Sequence, residues 1–215
     1  MRIKCLFLDH DDTIVDSTKH IHYPAFCEVL NLLRPQEAMI DYLSFVKHCH
    51  HKGFMDLCLN RYQFNEEEMK IEYGIWKSYT QSLIPQAFTG MKELLINFKN
   101  RGGIIIVISH SEAPEIRRDY LHLFGFEPDA IYGWERIESE RKPYPFPIID
   151  SLKKFNLETH ECLMVDDMSL GKIMAEETHI PFAWAAWSHL ENGIEKNASD
   201  LSFEDLNAFR IYLDL

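Results

Sequence analysis

The sequence lacks a long apolar run. No stretch of its 215 residues approaches the ~20 apolar residues that a membrane-spanning helix needs. The apolar run near the N-terminus is too short for the core of a signal peptide and is followed by acids. We therefore expect a cytoplasmic protein that has no membrane partner.

The sequence also lacks a cysteine-pair motif and an excess of basic residues. The five cysteines are odd in number and share no C-x-x-C spacing, so a disulfide framework is not supported and a reducing compartment is favoured. Lysine and arginine total 22 against 34 acids, which gives a net charge of −12. An acidic surface repels nucleic acid and anionic lipid, and we expect neither as a partner.

Short apolar runs that alternate with helical patterns define the fold class. The runs lie at 3–8, 104–108, 162–165 and 181–186, with a weaker one at 130–132. The helical patterns lie at 91–100, 113–124, 147–155 and 170–177. Continuous apolarity is typical of strands that are covered on both faces. The alternation predicts an α/β protein with a doubly wound parallel sheet.

One segment interrupts this alternation. Between about residues 18 and 82 the sequence has helical periodicity and no convincing strand, and one apolar stripe is formed by Phe26, Val29, Leu30 and Leu33. Pro85 disfavours continuation of the preceding helix. We predict an inserted all-helical cap subdomain at 17–84 and an α/β core formed by 1–16 and 85–215.

Acids and serines follow three of the predicted strands. In open α/β sheets, ligands bind outside the carboxyl ends of the strands, so these side chains should converge at one edge. They are Asp9, Asp11, Ser109, Ser111, Asp166 and Asp167.

Carboxylates gathered in this way need a counter-charge. Hard oxygen ligands suit Mg²⁺, which commonly uses one or two carboxylates and substrate phosphate oxygens. A calcium EF-hand is the rival for a D-x-D pattern, but it needs Gly at the sixth loop position, where this chain has Ile14. We therefore predict a magnesium site. Lys142, on a loop that contains two prolines, adds a cation.

The order of these motifs resembles the haloacid dehalogenase-like superfamily, in the form that carries a helical cap after the first strand. The resemblance spans nearly the whole chain. The matching residues are Asp9, Asp11 and Thr13 of a D-x-D-x-T motif, Ser109 at a strand end, Lys142 followed by Pro143-Tyr144-Pro145, and Asp166-Asp167 followed by Gly171 and Ala175.

The resemblance implies a phosphatase chemistry for a small phosphorylated metabolite. Asp9 would attack phosphorus and form an aspartyl-phosphate, and Asp11 would act as general acid and then as general base. Lys142 would supply positive charge and Ser109 a hydrogen bond.

The resemblance also implies a metal site and a substrate site. Mg²⁺ would be held by Asp9, by the backbone carbonyl of Asp11 and by Asp167, with Asp166 in support. His10 and His110 depart from the usual family pattern. We expect both to join Ser109 and Lys142 in binding substrate, since imidazoles can contact a phosphate or a leaving group.

Other functions compete with this one. Asp11 argues against carbon–halogen cleavage, because a departing halide needs no proton. A phosphomutase uses the same core, and a non-catalytic binding protein is a third alternative. His48, His50 and His51 suggest zinc, but no second Cys/His pair stands at structural-site spacing. We expect a monomer or a weak homodimer.

Overall fold

The computed structural model describes residues 2–188 and 200–215. Within these residues the chain divides into two compact units, of which one contains 2–16, 86–188 and 200–215 and the other 17–85. Every helix in the described residues is too short or too polar to cross a membrane.

The strands and helices alternate in the first unit as the apolar pattern predicts. In the described residues the strands are β1 (Cys5–Leu8), β2 (Val15–Asp16), β3 (Gln86–Ala87), β4 (Ile104–Ile108), β5 (Ala130–Tyr132), β6 (Cys162–Asp166), β7 (Phe182–Ala185) and β8 (Ser202–Phe203). The α-helices there are α1 (Tyr23–Leu33), α2 (Tyr42–Lys52), α3 (Phe54–Asp56), α4 (Glu66–Ser82), α5 (Met91–Asn100), α6 (Ala113–Phe124), α7 (Phe146–Phe155), α8 (Ser169–Glu177) and α9 (Leu206–Tyr212).

Six of the strands in the described residues form one parallel sheet. Its order is β5-β4-β1-β6-β7-β8, and every neighbouring pair is parallel. The strand β1 therefore lies in the interior of the sheet, between β4 and β6. Because the strands are parallel, their carboxyl ends share one edge.

Both faces of the sheet are buried, which explains the continuous apolar runs. Leu6 and Leu8 face a cluster to which α5, α6 and α9 contribute. Cys5 and Phe7 face a second cluster to which α7 and α8 contribute. This arrangement confirms the predicted doubly wound α/β sheet.

Four elements of the core were not predicted. The strands β2 and β3 pair antiparallel, with Val15 opposite Ala87, and so join the two ends of the inserted segment. The strand β8 adds two residues at the edge of the sheet, beside β7. The helix α9 packs Phe209 into the first cluster. Each element is too short for apolar periodicity to reveal it.

The inserted unit is helical and has its own core. The predicted stripe residues Phe26, Val29 and Leu30 are buried there. The helix α4 begins with a capping box formed by Asn65 and Glu68. Arg34 donates to both carboxylate oxygens of Glu68, at 2.6 and 3.0 Å.

Glu72, on α4, is a buried acid in this unit. Burial raises its pKa to about 7, while His22 opposes that shift. The pKa of Glu72 is thus higher in the folded state than in the unfolded state. Its favourable contribution to the free energy of unfolding is therefore complete below the unfolded pKa and is lost as the pH rises through about 7.

We predict that Glu72→Gln removes this loss. Relative to the wild type, the variant should gain on the order of 2–3 kcal/mol in the free energy of unfolding between pH 5 and pH 8. Denaturant unfolding at both pH values measures the difference. Glu66→Gln, at an exposed position of the same helix, is the control. Equal pH dependence in Glu72→Gln and the wild type would contradict the prediction.

Candidate active site

The candidate site begins where β1 ends. Asp9 follows Leu8 directly, is buried, and donates its backbone N–H to the Val165 carbonyl of β6 at 3.0 Å. The chain then turns sharply, and the N–H groups of Ile14 and Val15 both point to the His10 carbonyl. Asp12 has a φ of 54°, in the left-handed region that Asp, Asn and Gly tolerate best. The turn therefore explains why aspartate, asparagine or glycine suits position 12.

Lys142 connects two strand ends. Its Nζ donates to Asp9 Oδ1 at 2.7 Å and to Asp166 Oδ2 at 2.9 Å, and all three side chains are buried. Burial opposes the charged ammonium, but the carboxylates of Asp166 and Asp9 raise the pKa of Lys142 above its usual value. The lysine therefore stays charged at neutral pH.

A third carboxylate completes a compact acidic cluster. Oxygen atoms of Asp9, Asp166 and Asp167 all lie within 4.8 Å of one another. When all are ionised, three carboxylates and the Lys142 ammonium leave two negative charges. Burial raises the pKa of Asp9 and of Asp166, and Lys142 opposes both shifts. A divalent cation with hard-oxygen preference fits this donor set in charge and in chemistry.

The side chain of Asp166 is held from two sides. The N–H of Met168 donates to Asp166 Oδ1 at 2.8 Å. Gly171, in the first turns of α8, lies so close that an added Cβ would stand 2.3 Å from Asp166 Oδ2 and 2.6 Å from its Cβ. The helix can approach this aspartate only with glycine at position 171. Nearby, the Thr13 hydroxyl donates to Asp167 Oδ1 at 3.4 Å.

Asp11 lies beside the end of β4, where two serines contact one of its oxygens. Ser111 Oγ donates to Asp11 Oδ2 at 2.5 Å, and Ser109 Oγ donates to the same atom at 3.4 Å. The N–H of Ser111 in turn donates to Ser109 Oγ at 3.1 Å. The D-x-D-x-T motif, which contains Asp11, is thus joined through hydroxyl groups to the predicted strand end that carries Ser109.

His110 supports the loop that carries Lys142. Burial, together with the Lys142 ammonium, lowers the pKa of His110 to about 4, so its ring is neutral at neutral pH. Because a carbonyl only accepts, the ring Nε2 must donate to the Lys142 carbonyl, which lies at 3.1 Å. The ring also meets Trp134 edge-on, with centroids 5.5 Å apart. Arg141 stacks on the same indole, 4.0 Å from its centroid.

The structure places the His10 side chain against α6. Its side chain is buried, and its Nε2 lies 3.2 Å from Asp119 Oδ2 of α6. Asp119 also accepts from the Arg118 guanidinium at 2.7 Å. His10 therefore links the β1 loop to α6.

The sequence prediction and the structure differ most at Ser111. The sequence placed it among the side chains at the sheet edge but assigned it no role. Its position just after β4, close to Ser109, was the available signal, since the carboxyl ends of the strands form the ligand edge of such a sheet. In the described residues, the side chains that cluster closely enough to hold a metal ion are those of Asp9, Asp166 and Asp167.

These motifs, on this sheet, define the protein family. The chain belongs to the haloacid dehalogenase-like hydrolase family, whose sequence profile matches residues 6–185. It is therefore a hydrolase, and members of this family generally use a metal ion. No curated protein matches the chain at a significant level.

Solved structures share the fold across most of the chain. A predicted phosphoglycolate phosphatase from Haemophilus somnus is 17% identical, with 100% of this chain and 99% of that chain covered and a TM-score of 0.75. A candidate beta-phosphoglucomutase from Bacteroides vulgatus is 17% identical, with 99% and 88% covered and a TM-score of 0.72. CbbY from Rhodobacter sphaeroides, in complex with phosphate, is 16% identical, with 93% and 92% covered and a TM-score of 0.68.

We predict that Gly171→Ala disturbs the acidic cluster. The new methyl group would overlap Asp166, so we expect a loss of about 1–3 kcal/mol in the free energy of unfolding and weaker cation binding. Gly74→Ala is the matched control, because an added Cβ in α4 meets nothing within 4 Å. That change should add about 0.5–1 kcal/mol. Thermal unfolding with and without Mg²⁺ measures both effects, and equal behaviour of the two variants would contradict this geometry.

Proposed function

We propose that this hydrolase is a Mg²⁺-dependent phosphatase of a small phosphorylated metabolite. The supporting observation is the Lys142 ammonium, which lies between Asp9 and Asp166 with Asp167 alongside. This arrangement presents a carboxylate, a cation and a metal-binding oxygen set at the carboxyl edge of the sheet, where ligands of open α/β sheets bind.

In the first step, an oxygen of Asp9 attacks phosphorus and the bond between phosphorus and the leaving oxygen breaks. Asp11 gives its proton to that oxygen, so that an alcohol departs instead of an alkoxide. The Lys142 ammonium offsets the negative charge that gathers as two anions approach. Ser109, at the end of β4, supplies a hydrogen bond to the phosphoryl group. The product is an aspartyl-phosphate.

In the second step, water attacks the phosphorus of the aspartyl-phosphate. Asp11, now ionised, takes a proton from that water, and the bond between phosphorus and the Asp9 oxygen breaks. Inorganic phosphate leaves and both aspartates return to their starting states. One carboxyl group therefore serves as acid and then as base.

The metal proposal uses the same acids. Asp9 and Asp167, with Asp166 in support and the backbone carbonyl of Asp11, would hold Mg²⁺. When bound, the ion reduces the repulsion between a carboxylate and a phosphoryl group. The residual charge of the cluster supports a divalent cation.

The helical segment 17–84 is proposed to act as the cap, with 1–16 and 85–215 as the catalytic core. A cap of this kind excludes water and restricts the size of the substrate, which favours a small metabolite.

His110 has an indirect part in this proposal. Its Nε2 donates to the Lys142 carbonyl and so helps to hold the loop that carries Lys142.

We predict that purified protein releases phosphate from an aryl phosphate when Mg²⁺ is present, and that Asp9→Asn lowers the rate by at least about 1,000-fold. The amide keeps the shape of the side chain but cannot attack phosphorus. Asp214→Asn makes the same chemical change at an exposed position near the C-terminus and should leave the rate unchanged. Unfolding curves of both variants verify that they are folded.

Two results would contradict the phosphatase proposal. One is an equal rate in the wild type and in Asp9→Asn, which would trace the activity to a contaminant or to another residue. The other is Mg²⁺ binding with no phosphate release from any member of a metabolite panel.

A phosphomutase is the second candidate, supported by the fold that the chain shares with the candidate beta-phosphoglucomutase. A phosphatase passes the phosphoryl group to water, whereas a mutase returns it to a sugar. We predict that phosphate accumulates in proportion to substrate consumed when sugar phosphates are tested. Phosphorus NMR follows both products, and conversion to an isomeric sugar phosphate without phosphate release would favour the mutase.

A further inference from the structure

We propose that Ser111 is a positioning residue that holds the carboxyl group of Asp11 for proton transfer. The proposal rests on the phosphatase function given above, in which Asp11 is the general acid and base. Ser111 Oγ lies 2.5 Å from Asp11 Oδ2, which is a short distance typical of a hydroxyl donating to a carboxylate. Ser109 Oγ, at 3.4 Å from the same oxygen, makes the weaker contact.

Ser111 is itself held firmly. Its N–H donates to Ser109 Oγ at 3.1 Å, and its carbonyl accepts from the N–H of Trp134 at 3.0 Å. Gly133 packs against this peptide so closely that an added Cβ would stand 2.9 Å from the Ser111 carbonyl oxygen. The side chain of Ser111 is buried. Because the N–H and the carbonyl of Ser111 are both hydrogen-bonded, its hydroxyl group is held in place and can hold the carboxylate that it contacts.

Helix capping does not account for Ser111. The N-cap residue of α6 is Glu112, and the first N–H of the helix, that of Ala113, donates to the Glu135 carboxylate at 3.0 Å. The Ser111 hydroxyl points instead to Asp11, which is 100 residues away in sequence. A bond across such a separation ties the β1 loop to the β4 loop.

A hydroxyl group suits the chemistry that Asp11 is proposed to perform. It carries one donor and two acceptor sites, so it can donate to an ionised carboxylate and accept from a protonated one. Asp11 passes through both states in each turnover. Ser111 can therefore hold the side chain throughout the cycle, which alanine cannot do.

The test uses two substrates that differ in their need for a proton. An alkyl phosphate expels an unstable alkoxide and depends on the general acid, whereas p-nitrophenyl phosphate expels a stable phenolate and depends on it little. The ratio kcat/KM covers only the steps up to departure of the leaving group. We expect Ser111→Ala to lower kcat/KM by about 30-fold for the alkyl phosphate and by less than about 3-fold for the aryl phosphate.

Three comparisons separate positioning from a general structural effect. Ser151→Ala removes another buried hydroxyl group, which donates to Tyr132 Oη at 3.0 Å, and should show no leaving-group selectivity. Ser111→Cys keeps the shape with a weaker donor and should show the same selectivity to a smaller degree. In an Asp11→Asn background, Ser111→Ala should cause no further loss for the alkyl phosphate.

The outcomes distinguish this proposal from the function on which it rests. A wild type without phosphatase activity would overturn both. An active wild type whose Ser111→Ala and Ser111→Cys variants slow both substrates equally would overturn the positioning role alone. So would full activity of both variants, or additive losses in the Asp11→Asn background.

Discussion

The arrangement of the core depends on one buried cation. The Lys142 ammonium lies between Asp9 at the end of β1 and Asp166 at the end of β6, and each of the three groups would be costly to bury alone. Together they join two neighbouring strands to a loop that follows β5. His110 secures that loop from the end of β4 by its bond to the Lys142 carbonyl. A single side chain thus brings the distant parts of the sequence motifs together.

The same interaction leaves the site short of positive charge. Asp167 is a third carboxylate in the cluster, and Lys142 neutralises only one charge. Burial raises the pKa of Asp9 in this setting, which works against the ionised form of its carboxyl group. The electrostatic cost of assembling the acids and their capacity to attract a metal have one origin. Gly171 allows the acids to assemble, because α8 can approach Asp166 only when position 171 has no side chain.

Much of the fold could be predicted because both faces of the sheet are buried. Continuous apolar runs at β1, β4 and β6 revealed those strands, and the acids that follow them revealed the site edge. Other features depend on contacts across the chain, which local patterns do not encode. Ser111 meets Asp11, and His10 meets Asp119, over about a hundred residues each. The burial of His10 shows that a place within a motif does not determine which way a side chain points.

The ribbon formed by β2 and β3 has a consequence for how such a chain can change over time. Val15 lies opposite Ala87, so the two ends of the helical segment are fastened side by side to the core. The ribbon itself holds the two ends of the segment together. Helical turns could therefore be added to the segment or lost from it with little effect on the sheet. Selection could therefore replace the segment while the acids and the lysine stayed where they are.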